Sequence, residues 1–315
     1  MDIILETKEF SSKPRRSVLS VPGHIQKMLL KASKSNADVI MLDLEDSVPV
    51  ESKEEARSVV LSSLKDTGWG NKTVSVRVNA VDTPFAYKDI ITLAEEAGER
   101  IDSIVIPKVE STADSHFVSR LLDGIESHKG IRKKIALELS IETAEGMENV
   151  SKIARSTDRA VSLVFGIADF SASIGARLIS ISGHGENEET VYPGHRWHYA
   201  LSRMIVAAKA NGLQVIDAPF GNFSDPEGLR KSAEMSLALG CDGKWAIHPS
   251  QIDVINEVYS PSAEEIERAK RIVQAHLDAE SKGMGAVSLE GRMVDRATIR
   301  MAKELLNKAE YLGLI

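Results

Sequence analysis

The sequence predicts an α/β fold, a (β/α)8 barrel of the TIM-barrel type followed by a helical C-terminal extension. Three observations support this prediction. Short runs rich in β-branched residues alternate with amphipathic helical stretches, as in parallel strands joined by crossover helices. Eight such runs are separated by seven helical stretches. The alternation ends near Tyr259, and about 250 residues is the usual size of this barrel.

The predicted strands and helices follow one another in a regular order. The strands are Ser17–Val21, Val39–Leu42, Thr73–Val76, Ser103–Ile106, Lys134–Ile141, Ala160–Phe165, Gln214–Ile216 and Lys244–Ile247. The helices between them are Gln26–Lys34, Lys53–Leu64, Ala86–Ala97, Asp114–Ser127, Met147–Ala154, Trp197–Ala210 and Pro226–Leu239. A doubly wound open sheet would give the same alternation and is the competing fold.

The pattern changes after residue 260 and predicts a second region. Ser262 is the expected N-cap of a charged helix over Ala263–Glu280. A glycine-rich turn follows, and then a helix over Arg296–Leu312. We therefore expect a barrel domain over 1–260 and a helical extension over 261–315. The extension is too short for a large core of its own, so we expect it to pack on its barrel or on a neighbouring subunit.

The composition excludes several classes of protein. Of the 315 residues, 43% are hydrophobic and 27% charged, which is typical of a soluble globular enzyme. The 39 Lys and Arg against 46 Asp and Glu give a net charge of −7, which argues against a nucleic-acid partner. Cys241 is the only cysteine, so no intrachain disulfide can form and a reducing compartment is favoured. The sequence shows neither an apolar signal region nor a membrane-spanning run, and we expect a cytoplasmic protein without a membrane partner.

Polar residues follow nearly every predicted strand, and the carboxyl ends of barrel strands form the active-site face. Pro22 and Gly23 follow the first strand, and the polar residues after the others are Asp43, Glu45, Asp46, Arg77, Asn79, Lys108, Glu110, Glu142, Asp169, Asp217 and His248. Several carboxylates at one mouth repel each other unless a cation lies among them. Oxygen ligands without a Cys/His cluster favour Mg²⁺, with Mn²⁺ as a substitute. Glu142 and Asp169, which follow neighbouring strands, are the predicted ligands.

Five basic positions have alternative interpretations. Arg77 ends a buried strand, where it either pairs with Glu45 or Asp46 or holds a substrate oxyanion. Lys108 could form a Schiff base, but a salt bridge with neighbouring carboxylates is favoured. His195 and His198 share a helical face and could bind a metal, although no further ligand has suitable spacing. His248 precedes a proline, and we expect it to shape a loop rather than act as a base.

Nine segments closely resemble the citrate lyase β-subunit-like (HpcH/HpaI aldolase) superfamily, in particular its malyl-CoA lyase branch. They are RRSVLSVPG, VIMLDLEDSV, VSVRVNA, IVIPKVE, IETAEGM, VFGIADFSAS, DAPFGNFSDPEG, GKWAIHPSQI and GAVSLEGRMVD, in family order from Arg15 to Asp295. The resemblance implies a Mg²⁺-dependent carbon–carbon lyase that reversibly cleaves malyl-CoA to acetyl-CoA and glyoxylate. β-Methylmalyl-CoA and citramalyl-CoA are further candidate substrates.

The resemblance also implies roles for individual residues. Glu142 and Asp169 fall on the family's metal ligands, and Arg77 falls on an arginine that contacts substrate and stabilises enolate charge. Asp295 falls on an acid/base residue that reaches the site of an adjacent subunit, so the extension is expected to act as a lid in a homo-oligomer, a trimer or hexamer. Glu45 and Asp46 match an acidic pair on the water side of the metal. The loops that match CoA contacts include Arg16, Pro22, Gly23, Ile247, His248 and Pro249.

Two other functions stay open at this stage. A malyl-CoA thioesterase on the same scaffold would release malate and CoA. A non-catalytic lyase β-type subunit, or an acyl-CoA binder, would bind the ligand without turnover. Retention of the residues that match the metal ligands, the arginine and the acid/base residue favours the enzyme. Asp217 and the stretch Ile179–Tyr192 have no assigned role.

Overall fold

The computed structural model describes residues 13–177, 180–185, 196–281, 287–289 and 292–315. The chain divides into two compact units, of which one ends at Tyr259 and the other begins at Ser260. Among the described residues, no helix is both long enough and apolar enough to cross a membrane.

The first unit contains a closed barrel of parallel strands. The strands are β1 Ser17–Pro22, β2 Val39–Asp43, β3 Thr73–Arg77, β4 Ser103–Ile106, β5 Ala136–Ile141, β6 Ala160–Phe165, β7 Gln214–Asp217 and β8 Gly243–Ala246. Each strand pairs with the next, and β8 pairs with β1 to close the cylinder. This closure confirms the predicted (β/α)8 barrel over the open doubly wound sheet.

Helices connect the strands on the outside of the barrel. They are α1 Gln26–Ala32, α2 Lys53–Asp66, α3 Ala86–Ala97, α4 Thr112–Lys129, α5 Ala144–Ile153, α6 Ile167–Ser173, α7 His198–Lys209, α8 Pro226–Leu239 and α9 Ile252–Val258. The seven predicted helices are all present; the bounds of α3 and α8 are as predicted, and the ends of the other five differ by a few residues. Two helices, α6 and α9, were not predicted.

The barrel separates an inner core from an outer one. Inside it, one residue or two from most strands form a buried cluster: Val18, Val39, Met41, Val105, Val164, Ile216 and Trp245. The outward-facing strand residues join the helices in a larger cluster that includes Leu42, Leu29 and Val60. Because both strand faces are covered, the strands read as nearly continuous apolar runs.

The register brings the carboxyl ends of neighbouring strands to one level. Pro22 lies opposite Asp43, and Asp43 lies opposite Arg77. The Gly23 N–H donates to the Asp43 carbonyl at 2.7 Å, and a Cβ at position 23 would lie 2.5 Å from that oxygen. Glycine therefore allows the first loop to turn tightly against the end of β2.

The second unit contains two helices and a short antiparallel ribbon. These elements are α10 Ala263–Ser281, β9 Val287–Leu289, β10 Arg292–Val294 and α11 Arg296–Tyr311. The Ser262 hydroxyl accepts from the Glu265 N–H at 3.2 Å, and the Glu265 carboxylate accepts from the Ser262 N–H at 2.8 Å. This reciprocal pair confirms the predicted N-cap. The ribbon was not predicted.

Candidate active site

The carboxyl ends of β2 to β6 bring charged side chains together at one mouth of the barrel. Arg77 at the end of β3 contacts the carboxylates of Asp43, the last residue of β2, and of Glu45, which follows β2. Lys108, after β4, contacts Glu45, Asp169 and, through its backbone, Glu142. The predicted metal ligands therefore lie in the same network as the predicted arginine and acidic pair.

Arg77 is held mainly by Asp43. Its Nε and Nη2 donate to Asp43 Oδ1 and Oδ2, both at 2.7 Å, in a bidentate pair. Its Nη1 lies 2.9 Å from Glu45 Oε2 and 3.8 Å from Asp46 Oδ2, and the guanidinium lies over the Trp245 ring. Burial opposes the charge, but Asp43 outweighs it and raises the pKa of Arg77. The predicted ion pair with Glu45 is therefore present, but Asp43, the main partner of Arg77, was not predicted.

Glu142 is a buried carboxylate at the start of the loop after β5. It is 2% exposed, and its Oε1 accepts a hydrogen bond from the Lys108 N–H at 2.6 Å. Burial raises the pKa of Glu142 to about 7, and the nearby charge of Glu45 adds to this rise. Among the described residues, Glu142 forms no ion pair, so its negative charge is poorly compensated.

Gly166 explains how Glu142 and the next helix come so close. A Cβ on Gly166 would lie 2.0 Å from Glu142 Oε2, a separation that no side chain could accept. Gly166 is also the N-cap of α6, whose first turn contains Asp169. The Asp169 side chain is 40% exposed and lies 3.6 Å from the Lys108 ammonium. One glycine thus lets a buried and a half-exposed carboxylate approach the same corner of the mouth.

The two carboxylates fit a hard divalent cation. Mg²⁺ usually keeps several waters and takes one or two carboxylates together with substrate oxygens. Among the described residues, no group of three His, Cys, Asp or Glu side chains could hold a metal ion by itself. The raised pKa of Glu142 shows that a nearby positive charge would be favourable there.

Lys108 forms the salt bridges that were favoured over a Schiff base. Its Nζ lies 2.5 Å from Glu45 Oε1 and 3.6 Å from both Asp46 Oδ1 and Asp169 Oδ2. Burial opposes its charge, but the hydrogen bond to Glu45 and the surrounding carboxylates raise the pKa of Lys108. A Schiff base requires a neutral amine, so this ammonium is a poor candidate for one.

A cavity of about 240 Å³ lies beside α6. Its lining includes Ala168, Arg177 and Arg196, and Ala168 directly precedes Asp169 in the chain. The Arg196 guanidinium stacks on Trp197, with 4.3 Å between Cζ and the ring centroid. Two arginines next to α6 give this cavity a positive charge.

The loops expected to contact CoA lie partly at this mouth. Pro22 ends β1, Gly23 follows it, and the segment from Ile247 to Pro249 follows β8. His248 caps the short turn Pro249–Gln251 and accepts from the Ser250 N–H at 3.2 Å, which confirms its loop-shaping role. Its ring also stacks on the exposed Phe223, at 4.8 Å between centroids.

Arg16 lies at the opposite end of the barrel. It precedes β1, and its guanidinium donates to Asp38, the residue before β2, at 2.7 and 2.8 Å. A six-residue strand, about 20 Å long, separates this position from the mouth. The strand therefore directs Arg16 away from the other candidate residues, and its contact with CoA stays a prediction.

Two other strand-end residues have structural partners. Asp217 is fully buried, with its Oδ2 2.5 Å from Lys244 Nζ and its Oδ1 3.1 Å from His184 Nε2. Burial opposes its charge, but Lys244 and His184 hold the pKa of Asp217 well below its ordinary range. Asn79 donates to Asp89 at 2.6 Å. Their described contacts are therefore with these partners rather than with the charged residues at the mouth.

Asp295 belongs to the second unit, where it is the N-cap of α11. Its Oδ1 accepts from the Thr298 N–H and hydroxyl, both at 2.8 Å, and these hydrogen bonds lower the pKa of this exposed carboxyl. His195, of the proposed histidine pair, lies outside the described residues, as does most of the stretch Ile179–Tyr192.

Three contributors were missed by sequence reasoning: Asp43 as the partner of Arg77, Gly166 beside Glu142, and the backbone hydrogen bond from Lys108 to Glu142. Asp43 had a signal, because it is the one acid that directly ends the second strand. Gly166 also had one, since it stands between the strand and Asp169. The contacts of Lys108 depend on a backbone conformation that the sequence does not reveal.

The chain is similar to known proteins over nearly its whole length. A family model described as HpcH/HpaI aldolase/citrate lyase matches residues 16–249. An L-malyl-CoA/β-methylmalyl-CoA lyase from Cereibacter sphaeroides is 40% identical over 307 residues, 96% of each chain. A malyl-CoA/β-methylmalyl-CoA/citramalyl-CoA lyase from Chloroflexus aurantiacus is 33% identical over 320 residues, 97% of this chain and 91% of its own.

A solved structure extends the similarity. The protein CitE from Mycobacterium tuberculosis, in complex with magnesium, acetoacetate and coenzyme A, superimposes with a TM-score of 0.72 and 28% identity. The alignment covers 96% of this chain and 99% of that one.

Proposed function

The chain belongs to the HpcH/HpaI aldolase/citrate lyase family, and we propose that it is a Mg²⁺-dependent acyl-CoA lyase. It cleaves and forms the carbon–carbon bond of malyl-CoA, with acetyl-CoA and glyoxylate as the products. The observation that carries this proposal is that Glu142 and Asp169 lie at the mouth of the barrel, where both contact Lys108 and where Gly166 allows Glu142 to approach the helix that contains Asp169. The 40% identity to a lyase of this type supports the choice of substrate.

Glu142 and Asp169 would hold the ion. The chemistry that a bound Mg²⁺ supplies here is polarisation of the hydroxyl and carboxylate oxygens of the malyl unit. The burial of Glu142 and its single hydrogen bond from Lys108 fix one ligand, while the half-exposed Asp169 leaves one side open to substrate.

Arg77 stabilises the charge that develops during cleavage. Scission of the C2–C3 bond leaves its electron pair on the acetyl-CoA fragment as an enolate. The Nε and Nη2 donors of Arg77 are committed to Asp43, and Nη1 lies 2.9 Å from Glu45 Oε2, so the thioester oxygen would share Nη1 with Glu45. A positioned donor of this kind commonly contributes about 10²–10³-fold in rate.

Asp295 transfers the proton. In the direction of condensation it removes a proton from the methyl group of acetyl-CoA, the new carbon–carbon bond forms to the glyoxylate carbonyl carbon, and the carbonyl oxygen takes up a proton from water to become the hydroxyl. In cleavage the hydroxyl loses its proton to water as the C2–C3 bond breaks, and protonated Asp295 gives its proton to the enolate carbon. The resemblance of the GRMVD segment supports this role and implies that the carboxylate reaches the site of an adjacent subunit. We therefore propose a homo-oligomer, a trimer or hexamer, in the cytoplasm, in which the C-terminal unit serves as a lid.

Product analysis tests the function. Purified protein with Mg²⁺ is given malyl-CoA, β-methylmalyl-CoA and citramalyl-CoA, and both the oxo-acid product and free CoA thiol are followed. The lyase gives glyoxylate without free thiol from malyl-CoA. Free thiol with malate would instead identify a thioesterase, and absence of any turnover would favour a non-catalytic subunit. Glu142→Gln should abolish the reaction, whereas the exposed Glu148→Gln should leave it unchanged.

A further inference from the structure

Lys108 has an unusual backbone for its residue type. It follows β4 with a φ of 50°, in the left-handed region that non-glycine residues seldom occupy. Such a conformation costs free energy and persists only where the surroundings impose it. In this conformation the backbone N–H and the side chain of Lys108 both contact the acidic mouth.

The contacts of Lys108 reach both proposed metal ligands. Its N–H donates to Glu142 Oε1 at 2.6 Å, and its Nζ lies 3.6 Å from Asp169 Oδ2. The same ammonium is bound to Glu45 at 2.5 Å, so it is anchored at the side of the mouth that carries the acidic pair. One residue thus fixes the first ligand and competes for the second.

We propose that Lys108 is a positioning residue that sets the metal affinity of this site: its backbone N–H orients Glu142, and its ammonium competes with the divalent cation for Asp169. The inference rests on the proposed function, because it takes Glu142 and Asp169 as the ligands. A fixed positive charge beside a cation site weakens cation binding, and the low dielectric of a half-buried mouth strengthens that effect. The enzyme therefore binds its ion less tightly than its two carboxylates alone would allow.

Calorimetric titration of Mg²⁺ into the full-length protein tests this inference without turnover. Lys108→Gly removes the ammonium, keeps the N–H that donates to Glu142, and accepts the positive φ without strain. Lys108→Met removes the charge and keeps the bulk of the side chain. Both should bind Mg²⁺ about tenfold more tightly than the wild type. Lys108→Arg retains the positive charge, so its affinity for Mg²⁺ should stay close to that of the wild type.

Lys65→Met provides a matched control. Lys65 lies on helix α2, where it forms an exposed ion pair with Glu96 of α3. Its replacement removes the same charge as Lys108→Met and should leave the Mg²⁺ dissociation constant unchanged. Melting temperatures establish that each variant is folded, and if Lys108→Met does not fold, Lys108→Gly decides the matter. An unchanged or weaker affinity in the folded Lys108→Gly protein would overturn the inference.

The same titration separates this inference from the proposed function. If the wild type binds no Mg²⁺, or if Glu142→Gln binds it equally well, the proposed metal site is wrong and the inference falls with it. If the wild type binds Mg²⁺ through Glu142 but the Lys108 variants bind it no more tightly, the inference alone is wrong.

Discussion

Replacement of Lys244 by Met is expected to lower the free energy of unfolding by about 3–5 kcal/mol, because it leaves a buried carboxylate without its cation. Lys244 Nζ and Asp217 Oδ2 are 2.5 Å apart, and both side chains are fully buried. After the replacement, Asp217 would keep the Ala218 N–H at 2.8 Å and His184 at 3.1 Å. These bonds do not balance its charge, so the loss exceeds the usual 0.5–1.5 kcal/mol or so of one hydrogen bond.

Urea-induced unfolding, followed by circular dichroism, measures this loss. The control is Lys209→Met, which removes a lysine from a solvent-exposed pair with Asp242 and should cost less than about 1 kcal/mol. Combining Lys244→Met with Asp217→Asn removes both charges, so the double variant should lose less than the sum of the single losses. A Lys244→Met effect no larger than that of Lys209→Met would refute the reasoning.

Three further predictions follow from the site and its surroundings. Gly166→Ala should weaken Mg²⁺ binding about tenfold or more in calorimetry, because its Cβ would lie 2.0 Å from Glu142 Oε2, whereas Gly124→Ala, which has open space around it, should not. Asp295→Asn should lower kcat about 100-fold or more with an unchanged melting temperature, since Asn caps a helix as well as Asp; a normal kcat would contradict the acid/base role. Acidification from about pH 5 to pH 3 should lower the melting temperature of the wild type more than that of Asp217→Asn, because the folded-state pKa of Asp217 lies below its unfolded value and its stabilisation is lost as the pH falls; equal losses in the two proteins would argue against this assignment.

Much of the barrel could be predicted because its elements carry strong local signals. The predicted bounds of β6, α3 and α8 coincide with those observed, and Asp225 with Gly240 marks both ends of α8. By contrast, α6 has only seven residues, of which Ile167 and Phe170 are buried. A helix of two turns is too short to show a period of 3.6 residues, so it could not be recognised.

The positions of the site residues were easier to predict than their partners. Glu142 follows a buried strand and Asp169 lies four residues after another, so the strand-end argument located both. The partner of Arg77 depends on the register between β2 and β3, which places Asp43 opposite it. Lys244 and Asp217 are likewise brought together by the register of β7 and β8, and no spacing in the sequence reveals such a pairing.

The central claim is that Glu142 and Asp169 hold the divalent ion against which the hydroxy acid is cleaved. A crystal structure with Mg²⁺ and an unreactive malyl-CoA analogue tests it most directly. The account predicts one octahedral ion with an oxygen of each carboxylate and of the ligand at about 2.0–2.1 Å. An ion bound to the analogue at another place, with Glu142 and Asp169 turned away from it, would contradict the account.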